Sequence, residues 1–298
     1  MTPTGAALFA VLAFWWGASW GSFVNVVAWR LPLGRSVVSP PSACPACNTR
    51  IRWYHNLPVI GWLLLRGRCA ACNIPISLRY PLVELVVGLG ALASWLSLVA
   101  TAPARPELML DLVVPFVLQT LFVAALVALT LIDLDWFLLP DRLTWPLLAI
   151  GLLASLASPR PPTPTEAALG AVFGGLVPAL VIFVWLALTG RAGMGGGDWK
   201  LLAAIGAWLG IQAIPFVLGA GAIQGLTTAL IFRRDFARAE LPPLPGENLP
   251  DSGEIPPPPE NAEPAPFMRL AVPFGPFLAL AAFEWLLFAT ELRALMTP

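Results

Sequence analysis

The chain holds one histidine, His55, and one lysine, Lys200. A single imidazole argues against a histidine-based catalytic triad and rules out a three-histidine metal site. Charged residues amount to 11% against 58% hydrophobic residues, and mean hydropathy is +0.78. So little charge on so much apolar sequence excludes an ordinary soluble domain and indicates a polytopic membrane protein. Net charge is zero, so overall charge identifies no partner, and no nucleic-acid partner is expected. The first apolar segment lacks a basic n-region and outruns a signal peptide, so it reads as a mature span.

Eight apolar segments are legible, at about 6–28, 81–101, 112–132, 143–158, 167–189, 199–212, 214–232 and 271–290. The expected fold is therefore an all-α polytopic integral membrane protein with about eight transmembrane helices. A span needs about 20 residues, so the fourth and sixth segments are short. The stretch 199–232 is too long for one crossing, and Pro215 is the expected break. Gly170 and Gly174 would permit close helix packing, or are merely tolerated in an apolar helix.

Orientation is read from the basic residues. Arg30, Arg35, Arg50, Arg52, Arg66, Arg68 and Arg79 all lie in the first long loop, which has no acidic residue. The positive-inside rule makes that loop cytoplasmic. Counting crossings from it brings Arg142, Arg191, Lys200, Arg233, Arg234 and Arg238 to the same side. Arg105 and Arg160 fall outside, with Arg293 near an outside C-terminus. Residues 235–268 are rich in Pro and Glu, too poor in apolar residues to build a core, and read as a disordered cytoplasmic linker. The expected organisation is a first helix over 1–29, a cytoplasmic metal-binding domain over 30–80, a membrane core over 81–232, the linker over 233–270 and a last helix over 271–298.

All four cysteines lie in that first loop, as Cys44-Pro45-Ala46-Cys47 and Cys69-Ala70-Ala71-Cys72. Two C-x-x-C pairs at this separation match a four-cysteine zinc site, closed and therefore structural. A reducing cytosol disfavours disulfides, and no thioredoxin-like pattern surrounds the pairs. The loop is small, so metal binding would supply much of its folding free energy. His55, between the pairs, reads as a packed loop histidine, with a ligand role as the alternative.

Two acidic residues stand at the edges of apolar runs: Asp133 after Leu112–Ile132, and Asp198 in Gly195-Gly196-Gly197-Asp198-Trp199-Lys200. Carboxylates near bilayer depth are costly and are usually functional or paired. The crossing count puts both on the cytoplasmic side. Brought together, two carboxyls share a proton, which is aspartic-protease chemistry. The alternative is that each marks a loop at a helix end. The pair is expected to face one polar cavity open to water, about 3–6 Å apart. Asp135, two positions along a helix from Asp133, is expected to point away. Asp141 could cap the next helix. Lys200 could bias Asp198 toward ionisation or snorkel to the surface.

Together these motifs resemble the bacterial type IV prepilin peptidases, the GxGD intramembrane aspartic proteases also called prepilin leader peptidase/N-methyltransferases. Gly21-Ser22-Phe23-Val24-Asn25-Val26-Val27 with Arg30-Leu31-Pro32 is similar to the family's first-span signature. The cysteine loop is similar too, with Asn56-Leu57-Pro58-Val59, Leu65-Arg66-Gly67-Arg68-Cys69 and Ile76-Ser77-Leu78-Arg79-Tyr80-Pro81. Ile132-Asp133 with Leu139-Pro140-Asp141 resembles the first catalytic block, and Gly193-Met194-Gly195-Gly196-Gly197-Asp198 the second. Val272-Pro273-Phe274-Gly275-Pro276-Phe277 resembles the last-helix motif. Arg191-Ala192 stands where the family often has a Lys-Glu pair, and the linker is longer than the family leads one to expect.

The resemblance implies a multi-pass protein of the bacterial inner (cytoplasmic) membrane with Asp133 and Asp198 as catalytic residues. Its substrates would be prepilins or pseudopilins, cut after a Gly at the head of a hydrophobic helix that follows a short basic leader. It also implies methylation of the new N-terminus with S-adenosylmethionine, an activity associated with the cysteine loop. No glycine-rich Rossmann fingerprint is present, so the residues for that donor are not identified. The competing expectations are a peptidase without methyltransferase activity and a non-catalytic zinc-stabilised scaffold or transporter.

Overall fold

The structure is a computed structural model that describes residues 3–103, 108–157, 162–189, 195–232 and 272–296. The linker 235–268, the arginines at 105, 160, 191, 233, 234 and 238, and Gly193-Met194 lie outside the described residues. Helices occupy all eight apolar segments, and no strand forms among the described residues. They are α1 (Pro3–Arg30), a short α2 (Ile60–Leu64), α3 (Arg79–Ala100), α4 (Val114–Trp136), α5 (Asp141–Ala157), α6 (Pro164–Thr189), α7 (Asp198–Leu209), α8 (Ala213–Ile231) and α9 (Gly275–Met296). Among the described residues, six segments are long and apolar enough to cross a membrane: Ala7–Arg30, Arg79–Ala100, Asp111–Trp136, Pro164–Thr189, Ala213–Ile231 and Gly275–Ala294. The two short segments are α5 and α7, of 17 and 12 residues. At 1.5 Å per residue α7 is only about 18 Å long.

The chain forms two compact units, residues 1–128 and 129–298. In the first, α1 packs along α3. Ala13, Ala91, Trp95, Leu98, Leu112 and Phe116 make its core. Trp95 stacks on Phe9 and meets Phe116 edge-on, at centroid distances of 5.6 and 5.5 Å. Small residues bring the two helices close: Gly17 faces Ala91, and Gly88 faces the Phe14 ring and Ala18. This is packing suited to a bilayer, where lipid offers no hydrophobic reason for helices to associate and fit decides.

In the second unit α7 is the centre, packed by α5 and α6 and touched by α8 and α9. Every residue of α7 from Leu201 to Leu209 is buried, which explains how so short a helix is held. Gly170 and Gly206 meet backbone to backbone where α6 crosses α7, and any Cβ on either would collide with the carbonyl of the other. Gly174 likewise lies on the Leu202 carbonyl, 2.5 Å from where its Cβ would be. Of the two sequence readings for these glycines, close packing holds. The remainder of α6 presents Leu176, Leu180, Phe183 and Leu188 outward. In water that would be an untenable apolar face; in lipid it is the ordinary outer surface of a span.

The break in 199–232 comes at Gly210 to Gln212 and not at Pro215. Gly210 has φ +82° and ends α7, whereas Pro215 sits in the first turn of α8. A proline there removes no helix hydrogen bond, because the first turn's N–H groups have no partner within the helix.

Candidate functional site and a candidate metal centre

The cysteine loop is built from two copies of one turn. Cys44 donates its N–H to the Thr49 carbonyl at 3.0 Å, and Asn48 donates back to the Cys44 carbonyl at 2.9 Å. Cys69 and Ile74 repeat the first bond at 2.9 Å, and Asn73 and Cys69 the second at 3.0 Å. Each C-x-x-C is followed by an asparagine at positive φ, +54° at Asn48 and +58° at Asn73. Asparagine tolerates this left-handed backbone better than other side-chain-bearing residues. Each turn is closed by an isolated antiparallel bridge, Ala43 with Arg50 and Arg68 with Pro75.

The two turns bring their sulfurs together. The four Sγ atoms lie within 4.8 Å of one another and could hold one metal ion. Cys44 and Cys72 are 3.7 Å apart, and Cys47 and Cys69 are 3.9 Å apart. None forms a disulfide. The Thr49 hydroxyl, 3.3 Å from Cys47 Sγ, and the Thr49 backbone hold the Cys47 thiol down at about 6. At Cys72 a hydrogen bond from the Ile74 backbone favours the thiolate, but desolvation and the neighbouring sulfurs push the thiol up to about 12. Thiolates this close cannot all ionise unless a cation sits among them. His55 stands apart from the cluster's ligand set; its ring meets the Tyr54 ring edge-on at 4.5 Å.

The same unit contains a residue that the sequence reading passed over. Glu84 is the only carboxylate in residues 1–103. It is buried within α3, and its Oε2 accepts the Val59 N–H at 2.6 Å. Val59 itself has φ +59°, unfavourable for a β-branched residue. Nearby, Asn25 Nδ2 donates to the carbonyls of Gly21 and Tyr80, both at 3.3 Å. These buried and part-buried polar contacts pin the loop and the start of α3 to the α1–α3 pair. A lone glutamate inside an apolar segment was the signal available in the sequence.

In the second unit Asp133 lies in the last turn of α4, which continues to Trp136. Asp198 opens α7. Both are buried, with 6% and 5% of their surface exposed, so neither is a solvated loop carboxylate. Asp133 Oδ2 accepts the Gly275 N–H at 2.9 Å. That N–H belongs to the first residue of α9, where helix donors have no partner within the helix and the dipole favours negative charge. Asp198 folds back over Gly195, and a Cβ there would lie 3.1 Å from its Oδ2.

Leu139, in the α4–α5 turn, ties the two sites together. It is buried and packs on Gly197, next to Asp198, where a Cβ would come within 2.7 Å of the Leu139 Cβ. It also packs on Gly275, where a Cβ would meet Asp133 Oδ2 at 2.6 Å and Leu139 Cδ2 at 3.3 Å. Leu139 therefore stands between Gly197, the neighbour of Asp198, and Gly275, whose N–H holds Asp133. Asp135 is half-buried. Asp141 and Lys200 differ from their sequence readings: Lys200 Nζ lies 2.5 Å from Asp141 Oδ1, so the two pair with each other. That pairing joins residues 59 apart in the chain, which no local rule foresees.

Two buried carboxyls thus stand at helix termini, Asp133 near the end of α4 and Asp198 at the start of α7; comparison with known proteins adds the family. Residues 15–98 match the bacterial peptidase A24 N-terminal domain, and residues 120–230 match the type IV leader peptidase family. The prepilin leader peptidase/N-methyltransferase of Aeromonas hydrophila is 36% identical over 311 residues, covering 96% of this chain and 92% of its own. That of Neisseria gonorrhoeae is 36% identical over 264 residues, covering 78% and 84%. That of Klebsiella pneumoniae is 43% identical over 209 residues, covering 68% and 86%. No solved structure matches the chain. With both parts of the sequence matched in order and a relative aligned along nearly its whole length, this protein belongs to the type IV leader peptidase family.

Proposed function

We propose that this protein is a membrane aspartic endopeptidase that removes the leader of prepilins or pseudopilins and then methylates the new N-terminus. Asp133 and Asp198 are the catalytic pair in this reading. One carboxylate takes a proton from water as the water attacks the scissile carbonyl. The other, protonated, hydrogen-bonds the carbonyl oxygen and then helps the amine leave. The observation that supports it best is the burial of both carboxyls at helix termini joined through Leu139, which packs on Gly197 beside Asp198 and on Gly275, whose N–H is bonded to Asp133. A scaffold would have no need to bury two carboxyls that have no basic partner among the described residues.

The finer organisation belongs to the same proposal. The chain crosses the inner membrane about eight times, with α5 and α7 as short crossings inside a protein environment. Both carboxyls and the loop 30–80 lie on the cytoplasmic side. The core is 81–232 and the last helix 271–298, joined by the linker 233–270. Cys44, Cys47, Cys69 and Cys72 hold a structural zinc ion. Tetrahedral zinc at about 2.3 Å from each sulfur requires sulfurs about 3.8 Å apart; separations of 3.7 and 3.9 Å fit that requirement. S-adenosylmethionine would supply the methyl group when bound, and no residue of this chain is assigned to it.

The test is detergent-solubilised protein incubated with a prepilin, the product N-terminus being read by mass spectrometry. Cleavage by the wild type is expected. Asp133→Asn and Asp198→Asn should each insert normally and leave the leader in place. Full cleavage by either variant would remove that residue from the pair.

A further inference from the structure

The Asp141–Lys200 pair has no part in the chemistry just described, yet it lies two residues from Asp198. Lys200 is the only lysine among 17 basic residues, and it occupies the first turn of α7. A cation is disfavoured there, because the dipole makes a helix N-terminus positive. Its position is explained by its partner. Asp141 occupies the first turn of α5, where a carboxylate is favoured.

A second contact runs beside the first. Trp145, one turn along α5 from Asp141, meets Trp199 edge-on at 6.1 Å. Positions four apart share a helix face, so one face of α5 grips two successive residues at the start of α7. Farther along, Trp208 Nε1 donates to the Leu147 carbonyl at 2.8 Å and fixes the other end of α7. Asp198 needs such a restraint, because three glycines precede it and glycine does little to restrict the backbone. The pair's contribution to global stability should be small, since Asp141 keeps 57% of its side-chain surface exposed. What it can do is fix direction.

We propose that Asp141 and Lys200 are positioning residues that hold the first turn of α7, and with it Asp198, in register with Asp133. This rests on the aspartic-peptidase reading, and the experiment separates the two.

Asp141→Asn, Lys200→Met, the double variant and Lys200→Arg would be compared with wild type on a prepilin substrate. Each single neutralisation should lower kcat by about tenfold and leave KM within about twofold, because the lesion is one of alignment. The double variant should be no worse than either single, as contacting residues are non-additive. Lys200→Arg should recover most of the rate. Unchanged kcat in both single variants, or additive losses in the double, would overturn the inference even when wild type cleaves normally. Inactive wild type would instead sink the peptidase reading. The pair itself is then judged without turnover: Lys200 carries the only ε-amine, so its acylation rate can be followed by mass spectrometry. Loss of the carboxylate in Asp141→Asn should speed acylation severalfold, and an unchanged rate would overturn the proposal.

Discussion

Gly275 donates its backbone N–H to Asp133 Oδ2 at 2.9 Å across 142 residues of sequence. The bond uses a donor that the N-terminus of α9 leaves unpaired. It also fixes one oxygen of a buried carboxyl. The absence of a side chain at residue 275 is what allows the approach, since a Cβ would lie 2.6 Å from the same oxygen.

Gly275→Ala should therefore act on catalysis more than on folding. The carboxyl of Asp133 must shift to admit the methyl group, and a misplacement of about 1 Å costs on the order of 100-fold in rate. Cleavage kinetics on membrane-inserted protein would check this. A variant that cleaves at the wild-type rate would contradict the role given to the bond.

The cysteine cluster should carry about one zinc per chain by elemental analysis of purified protein. Cys44→Ser should lower that content and expose the loop 30–80 to proteolysis. Methylation should suffer more than leader cleavage, because Asp133 and Asp198 belong to the other compact unit. Full-length protein with no zinc and four free thiols would rule the site out.

Glu84→Ala should loosen the same loop by another route. It leaves the part-buried Val59 N–H without its acceptor, at a cost of up to about 1–3 kcal/mol, the figure for a fully buried group. Limited proteolysis between residues 40 and 75, with zinc content measured alongside, reports the effect. Glu84→Gln keeps an acceptor oxygen and should be milder. Equal behaviour of the two variants would mean that the hydrogen bond is not what matters.

Gly206→Val should disrupt the second unit by separating α6 from α7. Overpacking a tight contact costs about 1–3 kcal/mol, and here the obstruction is the Gly170 backbone, which cannot rotate away. Thermal unfolding in detergent should show a lowered midpoint, with loss of cleavage. An unchanged midpoint would mean that the crossing has more room than described.

Much of this protein follows from its sequence alone. Apolar run lengths determined where the helices lie, because a backbone in lipid must satisfy its own hydrogen bonds. Two C-x-x-C pairs determined a four-sulfur cluster, because each short turn presents two sulfurs to one point. The resemblance of five ordered blocks identified the family before any geometry was available. Tertiary structure decided the remainder, all of it long-range. Periodicity carries no information on whether Gly170 is merely tolerated or is a crossing point, since that depends on Gly206 in another helix. The expected break at Pro215 moved to Gly210, because a proline in a first turn loses nothing. Asp141 and Lys200 each looked like a local cap or a snorkelling cation, and only the packing of α5 on α7 made them partners. Gly275 stood in a motif with no stated task until the fold brought it to Asp133. Local sequence sets which groups need a partner; the packing of distant helices sets which partner each one finds.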